Sequence, residues 1–277
     1  MNIVKTVAEL RAARAALPEP VGLVPTMGFL HEGHLALARA AREQNASVVA
    51  SIFVNPKQFG PSEDLASYPR DLDRDLKRLD AAGVDLVFVP PTEEIYPPGF
   101  NTVVDVGPLG EVLEGARRPG HFRGVATVVA RLFALIGPGR AYFGQKDAQQ
   151  CVVIKKMTAE IGFPIEIVVI PIVREPDGLA LSSRNVYLTS EQRVAARVLS
   201  ASLRAVSQRY ESGERDANLL GGLVRDLIDA EPLASLDYVS VADAATLDDL
   251  DRVDRPALVS LAARVGRARL IDNILLG

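Results

Sequence analysis

Two histidines three residues apart, His31 and His34, directly follow an apolar run in the stretch VPTMGFLHEGHLALARAAR, residues 24–42. A strand is predicted to end at Pro25, a Gly turn to follow, and a helix to begin near Glu32–His34. A helix N-terminus carries about half a positive charge and several unpaired amide groups, so it suits phosphate. Two imidazoles beside it add hydrogen bonds to the same anion. Gly28 and Gly33 let the backbone come close to a ligand. A zinc site is the weaker reading, because no third ligand has suitable spacing and Cys151 lies in a helical run.

Further segments offer polar groups of matching chemistry. Asn55 and Gln58, in FVNPKQFGPSEDLASYPRDLDRDL (53–76), are neutral amides able to bond a hydroxyl, a carbonyl or a carboxylate without adding charge. In RAYFGQKDAQQ (140–150), Lys146 follows a strand-to-helix turn beside Asp147, and Gln150 lies three residues on. A lysine there is a point charge for phosphate oxygens, and Asp147 suits the helix N-cap. In REPDGLALSSRN (174–185), Ser182, Ser183 and Arg184 present two hydroxyls and a guanidinium, which binds phosphate bidentately. His121 and Arg123 bracket Phe122 in RRPGHFRGVATVV (117–129), as a pocket wall or as loop structure; both readings stand. No nucleophile–base pair occurs, so no covalent enzyme intermediate is expected, and Cys151 reads as a packing residue.

These segments need elements to carry them. Short apolar, β-branched runs at 21–24, 47–54, 85–89 and 165–173 read as strands buried on both faces. Helical patterns at 34–44, 71–82, 124–136 and 148–161 separate most of them, and AYFG (141–144) is strand-like. That alternation predicts a Rossmann-like α/β domain, a doubly wound parallel sheet. In such sheets ligands bind beyond the carboxyl ends of the strands, near a switch point. After about residue 173 the pattern changes to helices at 191–210 and 216–229, then the strand-like LDYVSVAD and PALVSLAARVG…RLIDNILL. The expected division is therefore 1–173 and a smaller α+β domain over 174–277.

The 277 residues suffice for about two domains and a large core without staples. With 31 Lys and Arg against 35 Asp and Glu, the net charge of -4 shows no basic surplus of the kind nucleic-acid binders use. No run reaches the roughly 18 apolar residues that span a bilayer. The N-terminal stretch lacks a secretory signal pattern, and a single cysteine forms no intrachain disulfide. A cytoplasmic protein without nucleic-acid or membrane partners is expected.

His31-Glu32-Gly33-His34 resembles the HIGH signature of the nucleotidyltransferase superfamily, which attacks ATP at its α-phosphate. The ten-residue run PTMGFLHEGH and the segments above are similar to one branch of it, the pantothenate synthetase or pantoate–β-alanine ligase family. Leu181-Ser182-Ser183-Arg184 resembles the second, KMSKS-type signature.

The resemblance implies ATP contacts at Met27, Gly28, Phe29, Leu30, His31, Glu32, Gly33 and His34, and at Gly144, Gln145, Lys146 and Asp147. It adds Val173, through backbone atoms, and Leu181, Ser182, Ser183 and Arg184. Catalytic roles fall to His31, His34, Lys146 and Arg184. Pantoate and β-alanine contacts fall to Gln58, Gln150 and Asn55. Asp75 is the matched candidate near magnesium, whereas Arg74 stands where some relatives are acidic; Gln145 stands where many have Glu. The implied cofactor is Mg2+ with ATP as substrate, the implied assembly a homodimer, and the C-terminal domain a lid. The implied reaction runs through a pantoyl adenylate to pantothenate, AMP and pyrophosphate. The rivals are another acid-adenylating or AMP-transferring superfamily member and a nucleotide sensor without turnover. A short chain without a basic anticodon-binding region disfavours an aminoacyl-tRNA synthetase.

Overall fold

Continuous apolar runs such as VGLV and SVVASI bury both faces of a strand, and in this chain they become the parallel strands of one sheet. A computed structural model describes every residue except Ser62 and Asp64. It comprises two units, Met1–Gly144 with Val153–Pro171, and Gln145–Val152 with Ile172–Gly277. The sequence division at 173/174 leaves residues 145–152 and 172–173 on the other side of that grouping.

The first unit runs β1 (Asn2–Val4), α1 (Val7–Ala15), β2 (Val21–Thr26), α2 (Glu32–Gln44), β3 (Ser47–Ile52), α3 (Leu72–Ala81), β4 (Leu86–Phe88), α4 (Thr92–Ile95), α5 (Glu114–Arg117), α6 (His121–Ile136), β5 (Arg140–Gly144), the body of α7 (Ala148–Ile161) and β6 (Glu166–Ile170). The sheet order is β1-β4-β3-β2-β5-β6, and every pairing is parallel. From β2 the chain builds outward through β3 to β4, then returns to place β5 on the other side of β2. The order therefore reverses between β2 and β5, at whose carboxyl ends ligands of such sheets bind. Val24, Ala50 and Val87 of the strands pack with Leu37, Ala41 and Leu79 of α2 and α3 in the core.

The expected strands are trimmed for identifiable reasons. The run at 47–54 stops at Ile52 because Asn55 caps a 3-10 turn, Pro56–Gln58. The run at 165–173 stops at Ile170, before Pro171, which has no amide to give the ladder. Helix α6 starts three residues earlier than its apolar pattern, at His121, after Gly120 takes the left-handed conformation at φ 81°. The three-residue edge strand β1 is too short to announce itself.

In the second unit, α8 (Ser190–Glu211) opens with a Thr189/Gln192 capping box, and α9 (Ala217–Asp229) is capped by Asp216. An antiparallel sheet follows, ordered β7 (Ala234–Asp243), β8 (Ala257–Val265), β9 (Ala268–Leu276). Leu199, Leu203, Leu220 and Val224 of the helices share a core with Val259 and Leu261 of β8. Among the described residues no helix is long and apolar enough to cross a membrane.

Candidate active site

The HIGH-like segment leaves β2 in a loop with no room for ordinary backbone. Gly28 sits at φ 82° and Phe29 at φ 50°, two left-handed residues in succession. A side chain at Gly28 would be strained by that φ and would also meet Asp75 Oδ2 and the Ile52 methyl at 3.1 Å each. Helix α3 holds the loop from below. Asp75, 1% exposed, accepts from the Phe29 amide at 2.6 Å and the Leu30 amide at 2.8 Å. Arg78 and Arg74 both donate to the Leu30 carbonyl, at 2.7 and 3.3 Å, and the Arg74 guanidinium lies 4.3 Å over the Phe29 ring.

That clamp delivers the chain to His31, an extended N-cap residue at φ -129°, ψ 175°, from which α2 starts at Glu32. The His31 amide donates to His34 Nδ1 at 3.3 Å, and the two imidazoles stack tilted with centroids 4.1 Å apart. Because Nδ1 accepts, a neutral His34 ring carries its proton on Nε2. Met27, Gly33 and the pair of histidines thus share one strand-to-helix turn, as the spacing predicts.

The amide segment is built just as tightly. Asn55 is 1% exposed and fully engaged: its NH2 donates to Gln58 Oε1 at 3.0 Å and to the Gly124 carbonyl at 3.1 Å. Its oxygen accepts from the Lys57 amide at 3.2 Å and the Tyr96 hydroxyl at 2.8 Å. Burial pushes that hydroxyl's pKa upward, so Tyr96 stays a donor. The geometry therefore makes Asn55 the frame of the turn, and Gln58 the residue whose NH2 end can address a ligand. Helix α6 comes so near that a Cβ on Gly124 would lie 2.1 Å from the Lys57 carbonyl oxygen.

His121 supports the same turn. Its Nδ1 lies 2.8 Å from the Gln58 carbonyl, which only accepts, so Nδ1 bears the proton. Nε2, 3.0 Å from the Arg118 guanidinium, is then the acceptor. Burial first, and Arg118 second, push the His121 pKa down to about 4, which fits this neutral tautomer. Arg118 also pairs with Glu63 at 2.6 Å. Burial opposes the Glu63 charge, but the Arg118 partner outweighs it and holds that carboxyl below its usual range. Arg123 pairs with Asp105 at an exposed position on the same helix. The open reading of His121 and Arg123 thus resolves toward loop structure.

In the second unit, Gln145, Lys146 and Asp147 form a 3-10 turn that opens α7, while Gly144 ends β5 in the first unit. Lys146 Nζ lies 3.0 Å from Asp147 Oδ1. Gln150 stands half-buried on the first turn of α7, next to buried Cys151. The Leu181 amide donates to the Val173 carbonyl at 3.0 Å, so these two candidates face each other across one loop. Ser182 caps the turn Ser183–Tyr187, its Oγ accepting from the Arg184 amide at 3.2 Å. Asn185 donates to Glu175 and to the Ala180 carbonyl, and Arg193 pairs with Glu175 and Asp177, which fixes the loop's base.

Each oxygen of Asp75, the carboxylate expected near magnesium, accepts from a backbone amide, so it lies beneath the loop as an anchor. Among the described residues, no group of three or more His, Cys, Asp or Glu could hold a metal. Sequence reasoning passed over Tyr96, Arg118, Asp272 and Asn273. For the last two a signal existed, since Asp-Asn interrupts the otherwise apolar strand RLIDNILL.

The geometry can be set beside known proteins. The family model described as Pantoate-beta-alanine ligase matches residues 2–275. A protein named pantothenate synthetase from Roseiflexus sp. (strain RS-1) is 63% identical over all of this chain and 99% of its own length. The crystal structure of pantothenate synthetase from Thermus thermophilus superposes with a TM-score of 0.94 at 53% identity, covering 99% of both chains. That of the ligase from Francisella tularensis, complexed with β,γ-ATP and β-alanine, gives 0.81 at 34% identity, covering 99% of this chain and 97% of that one.

Proposed function

The chain belongs to the pantoate–β-alanine ligase family, and on that premise we propose how its residues carry the reaction. It is an ATP-dependent ligase that condenses pantoate with β-alanine to pantothenate, releasing AMP and pyrophosphate. A carboxylate is a poor electrophile, so it is first activated. A pantoate carboxylate oxygen attacks the α-phosphorus of ATP, the bond to the bridging oxygen breaks, and pyrophosphate leaves. The amine of β-alanine then attacks the acyl carbon of the adenylate. The bond to AMP breaks, and the amine gives up a proton.

Such a displacement asks the protein for positioning and for compensation of growing negative charge, with little covalent help. Residues 31–34 supply the α2 N-terminus and the imidazoles of His31 and His34, and Met27, Gly28, Phe29 and Leu30 line the nucleotide beside them. Lys146, Ser182, Ser183 and Arg184 supply further donors to the phosphates, and each well-aimed donor contributes roughly 3 kcal/mol to transition-state stabilisation. Gly144, Gln145, Asp147, Val173 and Leu181 line the nucleotide; Gln58 and Gln150 hold pantoate. The observation that carries this reading is the clamped loop. Asp75 takes the Phe29 and Leu30 amides and Arg74 and Arg78 the Leu30 carbonyl, so the α2 N-terminus and the imidazoles are held in place before any ligand binds.

Magnesium bound to the ATP phosphates would neutralise charge there and would need few protein ligands. The protein works in the cytoplasm as a homodimer, and its C-terminal unit serves as a lid. Small-angle scattering with and without ATP plus pantoate tests the lid, and an unchanged profile counts against it. The functional test is direct. With ATP and magnesium, pantoate alone should release pyrophosphate, and AMP should be released only once β-alanine is added. Pyrophosphate release with no dependence on pantoate would overturn the reading.

A further inference from the structure

Asn273 lies in the middle of β9, 2% exposed, opposite Ser260 of β8. Its NH2 donates to two successive carbonyls, those of Gln145 at 2.9 Å and Lys146 at 3.0 Å. Its oxygen accepts from the Gln145 side-chain amide at 3.2 Å. Every hydrogen-bonding site this contact requires is filled by one planar carboxamide, a group that donates and accepts at once. The next residue back, Asp272, is also 2% exposed and grips Arg174 through both oxygens, at 2.6 and 2.9 Å. Arg174 in turn donates to the Gly178 carbonyl at 3.1 Å.

Successive strand residues point to opposite faces. One dipeptide of β9 therefore reaches two segments: Asn273 the turn carrying Lys146, and Asp272 the base of the loop carrying Ser182, Ser183 and Arg184. We infer that Asn273 is a positioning residue for Lys146. With Asp272, it makes the C-terminal sheet the common frame for the lysine and the serine–arginine loop. A packing role alone would not require a carboxamide: an apolar side chain would take two donors from the turn's carbonyls and an acceptor from the Gln145 side-chain amide. An aspartate would set a carboxylate against both carbonyls.

This inference rests on the reading of Lys146 as a phosphate-binding residue, and a double-mutant cycle separates the two. Asn273→Ala should lower kcat for pantoate-dependent pyrophosphate release by about tenfold or more, while KM for pantoate stays within about threefold of the parent. If Asn273 acts through Lys146, adding Asn273→Ala to Lys146→Ala should cost no more than about a further twofold. Asn273→Asp, of the same shape, is measured alongside and should show the same pattern. Equal losses in both backgrounds, no loss in the parent background, or failure of both Asn273 variants to fold would each overturn the inference. A parent that releases no pyrophosphate with pantoate sinks the functional reading instead. The same cycle read as ATP dissociation constants by calorimetry then still decides whether Asn273 and Lys146 are coupled.

Discussion

The Asp75 carboxylate holds the Phe29 amide at 2.6 Å, across 46 residues of sequence, and its second oxygen takes the amide of Leu30. Phe29 is in a left-handed conformation that costs a non-glycine residue about 1 kcal/mol or more, and the clamp is what offsets it. Asp75→Asn keeps the shape but turns one acceptor into a donor that faces an amide. The expected result is a loss of about 2 kcal/mol in stability and a higher KM for ATP, read by thermal unfolding and steady-state kinetics. Titrating magnesium separates this role from metal ligation. If Asp75 acts only as an anchor, the apparent magnesium constant of the variant should match the parent; a marked rise would show that it also acts on the metal.

Acid should act through His121. Its native pKa is pushed down to about 4, against about 6.5 in an unfolded chain. Between those values the unfolded state binds the extra proton, so stability is lost as pH falls from about 6.5 to about 4. The difference between the two pKa values corresponds to on the order of a few kcal/mol, and protonation breaks the Arg118-to-Nε2 bond. In His121→Asn the amide nitrogen can still donate to the Gln58 carbonyl but cannot titrate. Chemical denaturation at pH 7 and pH 5 should show a smaller drop for the variant than for the parent; equal drops would remove His121 from the account.

The parallel half of the fold was readable because strands buried on both faces need continuous apolar runs, as in residues 47–52, and because the helices between them keep a helical period. The histidine turn was readable for a related reason, since all its chemistry is local. What escaped is long-range. Asn273 meets Gln145 across 128 residues, and the pattern of β9 marks a polar break without naming its partner. Asp75 was visible as a carboxylate, but only the structure assigns its oxygens to backbone amides. Asn55 read as a substrate contact, while the four bonds by which it frames the turn, two of them to distant residues, were not legible.

Gly124 is where helix and turn come closest. A methyl group there would sit 2.1 Å from the Lys57 carbonyl oxygen and 2.7 Å from the Gln58 amide. Neither is a flexible side-chain end, so the turn itself must move. Gly124→Ala should destabilise by about 1–3 kcal/mol. If Gln58 holds pantoate, KM for pantoate should rise while KM for ATP stays put. A rise in both, or in ATP alone, would argue that the turn serves the nucleotide.

His34 does two jobs that substitution can divide. Its Nδ1 accepts from the His31 amide at 3.3 Å, and the proton on Nε2 is the group that would meet a phosphate. In His34→Asn the side-chain oxygen falls near the place of Nδ1 and can keep the acceptor, whereas nothing replaces Nε2. That variant should unfold close to the parent temperature yet release pyrophosphate with pantoate about 10²–10³-fold more slowly, the usual effect of deleting one transition-state donor. His34→Ala should lose the acceptor as well, adding about 1 kcal/mol of instability to the same kinetic defect. Near-parental turnover in His34→Asn would show that capping the helix, and not meeting the phosphate, is what the imidazole contributes.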